Sequence, residues 1–253
     1  MSELVHCAIA GGVATITLDS PSNRNALSRQ LLNELHGALD LAEQDGARVI
    51  VLTHTPPVFC AGADLKERSG SAGSGTDGSA IATSSTLMVR AIERLSSGNA
   101  PTIAAVNGAV RAGGVGLMAA CDLVVVAPSV TFAFTEVRIG VAPAIISVPI
   151  LARCGWSKLA APFLTGETFD AATARDMGLV THVAADVTAT VATLVAGILA
   201  GGPIAIAETR RVLRGTAPNL SEMQTLSEAL FNSAEAAEGM RAFAAKSPPA
   251  WTS

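Results

Sequence analysis

The sequence predicts an α/β fold with parallel strand pairing. Two observations carry this expectation. Runs of β-branched residues alternate with segments of helical apolar spacing through the first two thirds of the chain, and from about residue 185 the strand-like runs stop and only helical ones follow. A chain of 253 residues is long enough for one well-buried core with an accessory segment. We expect the core to occupy residues 1–190 and a helical region to occupy 191–253.

The first clear strand is VATITL, Val13 to Leu18, ended by Ser20 and Pro21. From Ser28 the segment SRQLLNELHGALDLAEQDG carries Leu31, Leu32, Leu35, Leu39 and Ala42 on one face, which predicts an amphipathic helix. RVIVLT, Arg48 to Thr53, reads as a strand buried on both faces because its β-branched run does not alternate with polar residues. It leads into the turn-rich HTPPVFCAGADL. TIAAV, Thr102 to Val106, and DLVVVA, Asp122 to Ala127, repeat the strand character around a helix expected over Gly114 to Cys121. The last part reads as helices DVTATVATLVAGILAG, PIAIAETRRVLRG and SEMQTLSEALFNSAEAAEGMRAFAAK, the final one with a stripe of Leu226, Leu230, Ala234 and Ala237 suited to a subunit interface.

Composition excludes several functions. Hydrophobic residues make up 49% and charged residues only 15%, so much of the surface must be small and apolar, which suggests subunit contacts. A net charge of -4 leaves no basic footprint for nucleic acid, and with no Tyr and only two Trp there are few stacking platforms. No apolar run reaches the ~18 to 20 residues of a membrane span. The start MSELVHCAIAGG lacks a cationic leader, so a cytoplasmic protein is expected. The four cysteines, Cys7, Cys60, Cys121 and Cys154, and the four histidines, His6, His36, His54 and His182, are scattered without metal-ligand spacing, and we expect structural roles and no metal.

Residues 69 to 80, SGSAGSGTDGSA, form a Gly/Ser tract expected to act as a lid or insertion. Its GxGxxG pattern at Gly73, Gly75 and Gly78 is preceded by no strand and opens no helix, so it is a chance match to the dinucleotide fingerprint. The sequence also lacks a Walker GxxxxGK[ST] and a GxSxG elbow.

Two segments cluster small residues directly after strands: Phe59-Cys60-Ala61-Gly62-Ala63-Asp64-Leu65 and Asn107 to Leu117, NGAVRAGGVGL. In the second, free N–H groups and the positive end of a helix dipole converge on Gly113 and Gly114. Such a turn stabilises an anion or a developing oxyanion, although tight strand-to-helix packing alone also calls for glycines.

FCAGADL, PTIAAVNGAVRAGGVGLMAACDL and FAFTEVRIGVAP, in this order, resemble the successive signature segments of the crotonase (enoyl-CoA hydratase/isomerase) superfamily. The similarity extends to NRNAL at Asn23 to Leu27, to FLTGETFDAATARDMGLV at Phe163 to Val180 and to EGMRAFAAKSPPAW, and so covers nearly the whole chain. It implies a crotonase-like spiral of ββα repeats with a C-terminal α-helical trimerisation region, assembled as a homotrimer or a dimer of trimers. It also implies an acyl-CoA thioester substrate with no separate cofactor, coenzyme A being part of the substrate. Matched residue by residue, the backbone N–H groups of Ala63 and Gly113 form the oxyanion hole. Ala61, Asp64, Leu65 and Lys66 line the acyl-CoA channel; Arg24 and Lys66 are candidate partners of the CoA phosphates, with plain solvated cations as the alternative, and Lys246 is a candidate to reach a neighbouring subunit's CoA.

Hydratases of this superfamily carry two glutamates. Here the second is present as Glu136, an acid among apolar residues suited to acid/base work, with a salt bridge to Arg138 as its alternative role. The first position reads Gly116, which then counts only as a substrate contact. Three readings follow: an enoyl-CoA hydratase-like lyase, with similarity to hydratases of branched or carboxylated acyl groups; a Δ3,Δ2-enoyl-CoA isomerase using Glu136 alone; and an acyl-CoA-binding member with little catalysis. The segment Ala142-Pro143-Ala144-Ile145-Ile146, where hydratases have PGAGG, belongs to the same departure.

Overall fold

The computed structural model describes residues 2–67, 79–215 and 219–252, the side chains of 79–83 excepted. It is a mixed α/β structure built on two sheets. The larger has the order β1-β2-β3-β5-β7-β10 and the smaller the order β4-β6-β8-β9, where β9 is Phe169–Asp170. In the larger sheet β1 (Val5–Ala10) and β2 (Val13–Leu18) form an antiparallel hairpin. Its two-residue turn, Gly11-Gly12, has positive φ at both positions, the geometry that suits the twist of paired strands. From β2 onward the pairing is parallel through β3 (Val49–His54), β5 (Thr102–Val106), β7 (Leu123–Val126) and β10 (His182–Val183).

The unbroken apolar runs have a simple cause. Ile50, Leu52, Ala104, Val106, Val124 and Val126 point into the main core, while Val49, Val51, Ile103, Ala105 and Val125 point to the opposite face. The main core lies under α1 (Arg29–Gln44) and α2 (Ser79–Ser97), and the opposite face is covered by Val187 and Val191 of α7 (Val187–Ala200). Both faces are therefore buried, as parallel sheets require. Helix α1 runs as expected, with Ser28 Oγ accepting from Leu31 N–H at its start and the Leu31, Leu32, Leu35, Leu39, Ala42 stripe buried.

Several elements differ from the sequence expectation. Helix α2 was not anticipated, although Met88, Ala91, Ile92 and Leu95 form its buried stripe. The Gly/Ser lid expected at 69–80 lies outside the described residues up to 78, and its last two residues open α2, so a helix follows Gly78 where the sequence reading expected none. After α3 (Gly113–Ala120) come α4 (Ala144–Arg153), α5 (Trp156–Thr165) and α6 (Ala171–Met177), and after α7 comes α8 (Pro203–Arg214). The final segment, expected as one helix, is two: α9 (Leu220–Phe231) and α10 (Ala234–Ala245). Ser233 begins the second by accepting from Ala236 N–H, a local bond that competes with helix continuation.

Helix α8 is tied to the core by charge. Asp122 Oδ2 accepts from Arg210 Nε and Oδ1 from Arg214 Nε, both at 2.6 Å, while Oδ2 also accepts from Thr102 N–H at 2.7 Å. The Arg210 guanidinium further donates to the carbonyls of Leu95 and Gly98. Among the described residues no single helix is long and apolar enough to cross a membrane.

Candidate active site

Three adjacent strands of the smaller sheet end at one edge. β4 (Val58–Cys60) pairs in parallel with β6 (Ala109–Arg111), which pairs in parallel with β8 (Thr131–Ala133). The residues that follow them are Ala61 to Ala63, Ala112 to Gly113, and Thr135 to Glu136. The carboxyl ends of parallel strands form a natural crevice. These three segments share a cavity of about 300 Å³, whose lining includes Ala63, Gly113, Glu136, Leu27, Met88 and Ile146.

The first segment is fixed from the N-terminal loop. Leu27 N–H donates to Gly62 O at 2.7 Å and Ala61 N–H donates to Arg24 O at 3.0 Å, leaving Ala63 bridged to Leu27. Asn25 holds that loop: fully buried, its Oδ1 accepts from Ser20 N–H at 2.6 Å and its Nδ2 donates to Val58 O at 2.8 Å. Gly62 sits at φ +92°, and a Cβ there would lie 2.9 Å from Ala112 Cβ and 3.7 Å from Gly113 N. The two small-residue turns therefore touch, and only glycine fits between them.

The second segment is strained. Ala112 has φ 48° and ψ -120°, an unfavourable region for a residue with a Cβ. Its N–H donates to Ala133 O at 3.0 Å, which ties the turn to β8. The strain places Gly113 at the first position of α3, where its N–H has no acceptor within the helix. Among the described residues neither Ala63 N–H nor Gly113 N–H has an acceptor. Two free backbone donors beside one cavity, one of them at a helix N-terminus, can hold an oxygen that gains negative charge.

The third segment supplies the acid. Glu136 lies in a short 3-10 turn, Thr135–Ile139, and its Oε2 is buried with no hydrogen-bond partner among the described residues. Burial raises its pKa above the usual glutamate value, opposed only by a bond to its own backbone. Among the described residues no ion pair joins Glu136 to Arg138, whose Nε donates to Thr165 O. The other acids on the lining are occupied. Asp64 Oδ1 accepts from the N–H groups of Lys66 and Glu67, and Glu67 Oε2 accepts from Arg29 N–H at 2.9 Å while its Oε1 pairs with Arg29 Nε.

The structure thus brings Ala61, Ala63, Asp64, Leu65, Gly113 and Glu136 together on one cavity. Arg24, Lys66 and Gly116 are not part of its lining. Arg24 and Lys66 are exposed, whereas Gly116 is buried under α4. A Cβ on Gly116 would lie 2.4 Å from Ile146 Cγ2 and 2.8 Å from Ile146 Cβ, so Ile146 fills the space into which a side chain at 116 would point. Sequence reasoning noticed the unusual Ala-Pro-Ala-Ile-Ile segment but not this cover. It also missed Asn25, whose signal was an asparagine between a proline-started turn and a helix. Among the described residues no group of three or more His, Cys, Asp or Glu could hold a metal ion. His54, buried, accepts from Asn107 N–H through Nε2 and meets Thr55 O through Nδ1, a structural role.

Comparison with known proteins shows the family. The enoyl-CoA hydratase/isomerase family model matches residues 8–253. The crystal structure of an enoyl-CoA hydratase from Mycobacterium avium is 40% identical and superposes with a TM-score of 0.74, with 99% of this chain and all of that chain (100%) covered. That of the enoyl-CoA hydratase from Mycobacterium smegmatis is 28% identical with a TM-score of 0.90, both chains being covered completely (100%). The enoyl-CoA isomerase/hydratase of Mycosarcoma maydis is 34% identical over 186 residues, 68% of this chain and 65% of its own length. The α/β architecture, the cavity between the small-residue turns and these matches lead to one conclusion: the chain belongs to the enoyl-CoA hydratase/isomerase family of the crotonase superfamily.

Proposed function

We propose that the chain is an enoyl-CoA hydratase-like lyase in which Glu136 alone carries the proton. The observation that supports this most is the free, buried Oε2 of Glu136 on the same cavity as the two unpaired backbone donors. The thioester oxygen of a 2-enoyl-CoA accepts from Ala63 N–H and Gly113 N–H. Glu136, ionised, takes a proton from water as the water oxygen bonds to Cβ. The Cα=Cβ electron pair moves to the thioester, giving an enolate whose charge rests on the held oxygen. Each donor lowers the barrier by about 3 kcal/mol. Glu136 then returns its proton to Cα, the enolate electrons form the C–H bond, and the product is the 3-hydroxyacyl-CoA. The names of the two mycobacterial structures, both enoyl-CoA hydratases, favour the same reaction.

A second reading, favoured by the Gly116–Ile146 contact, is Δ3,Δ2-enoyl-CoA isomerisation. A site with one available carboxyl suffices to remove a proton from C2 and return it at C4. The isomerase/hydratase name of the Mycosarcoma relative fits either reaction. A panel of straight-chain 2-enoyl, 3-enoyl and branched carboxylated enoyl-CoAs, run with wild type and Glu136→Gln, separates them. Hydroxyacyl products from 2-enoyl substrates support hydration; conversion of 3-enoyl to 2-enoyl substrates with no hydration supports the isomerase. Arg24, whose carbonyl accepts from Ala61 N–H, and Lys66, beside Leu65, are the proposed contacts to CoA phosphates. Leu213, Leu220, Phe231 and Phe243 are exposed on the C-terminal helices, which favours packing of these helices against further copies of the chain. Light scattering on a sizing column would show a trimer or hexamer if so, and a monomer if not.

A further inference from the structure

Cys60 lies beneath both turns of the proposed oxyanion hole. It ends β4, is fully buried, and accepts from Gly62 N–H through Sγ at 3.4 Å. On its other side it meets Gly114: a Cβ on that glycine would fall 2.5 Å from Cys60 Cβ and 2.9 Å from Sγ. One thiol side chain therefore restrains a peptide one residue before Ala63 and packs on the Cα one residue after Gly113. The two strands that carry these turns are also joined here, because Cys60 pairs with Val110 in the β4-β6 ladder. Backbone hydrogen bonds hold each turn to its own neighbours, Gly62 O to Leu27 and Ala112 N–H to Ala133, and neither of those bonds spans the two turns.

We infer that Cys60 is a positioning residue that sets the separation and aim of the Ala63 and Gly113 donors. This rests on the oxyanion-hole reading given above. The physical basis is that a fixed donor is useful only where the charge develops, and a displacement of about 1 Å at a reacting centre can cost up to ~100-fold in rate. Removing the sulfur leaves Gly62 N–H without its acceptor and opens space under Gly114, so the two turns keep only their contact at Gly62 and Ala112 and can shift against each other. A hydroxyl at position 60 keeps the acceptor and most of the contact.

The test uses Cys60→Ala and Cys60→Ser in the full-length protein. Turnover of a 2- or 3-enoyl-CoA is measured together with the carbonyl stretching frequency of a bound, non-reacting acyl-CoA. We expect kcat to fall roughly 5- to 20-fold in Cys60→Ala, below the 10²–10³-fold of losing a donor outright, with KM changed less than about threefold and the carbonyl band moved back toward its value in water. Cys60→Ser should recover kcat to within about threefold of wild type and retain the shifted band. A band in Cys60→Ala that stays where it is in wild type overturns the role of Cys60 while leaving the hole intact. A wild-type band identical to that of free acyl-CoA overturns the oxyanion-hole reading itself. If Cys60→Ala does not fold, Cys60→Ser still decides: loss of the shifted band in a folded serine variant contradicts the inference.

Discussion

Ile146 covers Gly116: the Cγ2 atom of Ile146 lies 2.4 Å from where a Cβ at position 116 would sit. The contact joins α3 to α4; on the same cavity Asp64 and Glu67 are hydrogen-bonded, while Glu136 Oε2 has no partner among the described residues. The Gly116–Ile146 contact has a direct energetic consequence. Gly116→Ala is expected to destabilise the fold by about 1 to 3 kcal/mol through overpacking. Ile146→Gly alone should also destabilise, by leaving a cavity. In the double variant the added methyl occupies part of that cavity, so the two losses should fall short of additive by at least ~0.5 kcal/mol in a urea-denaturation cycle. Strict additivity would mean that the two residues do not share this space.

Gly62 is expected to tolerate no side chain. Its φ of +92° and the 2.9 Å approach to Ala112 Cβ make Gly62→Ala both strained and overpacked. The loss should be about 1 to 3 kcal/mol in stability and at least ~10-fold in kcat, since the peptide carrying Ala63 N–H must move. Steady-state kinetics beside thermal melts would check this. Full activity in a destabilised variant would show that the Ala63 turn is not part of the chemistry.

The charge tie of α8 makes a separate prediction. Asp122→Ala leaves Arg210, buried, and Arg214 without their carboxylate. Breaking such a buried pair costs about 3 to 5 kcal/mol. Because Asp122 is not part of the cavity lining, the folded variant should keep a near-normal KM at low temperature while its denaturation midpoint falls. A midpoint unchanged by the substitution would contradict the anchoring role.

The buried acid sets a pH dependence. Burial raises the pKa of Glu136 in the folded chain above its unfolded value. At low pH both states carry the neutral acid and the ionisation-linked cost of burial vanishes. As pH rises, the unfolded chain ionises first and is favoured, so this group's contribution to stability declines through the unfolded pKa and up to the raised folded one. Glu136→Gln should match wild type in stability at acid pH and exceed it at neutral pH, as read from urea midpoints between roughly pH 4 and 8. In catalysis the acid limb of kcat/KM, which reports ionisation of the free enzyme's base, should lie above the ordinary glutamate value of about 4.3. A gap between the variants that closed toward neutral pH would reverse the assigned sign.

Much of this architecture was legible in the residues. The β-branched runs around Val49, Ile103 and Val124 announced strands buried on both faces because both patterns of alternate residues are apolar. The small residues around Ala63 and Gly113 were visible as turns after strands but were equally compatible with tight packing, and it was the family resemblance that singled out those two donors and Glu136. Helices α4 and α5 were harder to read, since each contains a proline, Pro149 or Pro162, that argues locally against a helix. Helix α2 follows a Gly/Ser tract that obscures its start, and α9 and α10 are separated by a serine cap rather than by glycine or proline. The cover of Gly116 by Ile146 is a contact between residues 30 positions apart in sequence. No local pattern reports it.

The most direct test of the account is the reaction of a straight-chain 2-enoyl-CoA in D₂O with wild type and Glu136→Gln, followed by mass spectrometry of the product and by binding of a non-reacting acyl-CoA. Wild type is expected to form the 3-hydroxyacyl-CoA with one deuterium at Cα. Glu136→Gln should lose at least ~100-fold in turnover with acyl-CoA affinity changed less than about threefold. Hydration at an undiminished rate by Glu136→Gln would contradict the claim that this single carboxyl carries the proton.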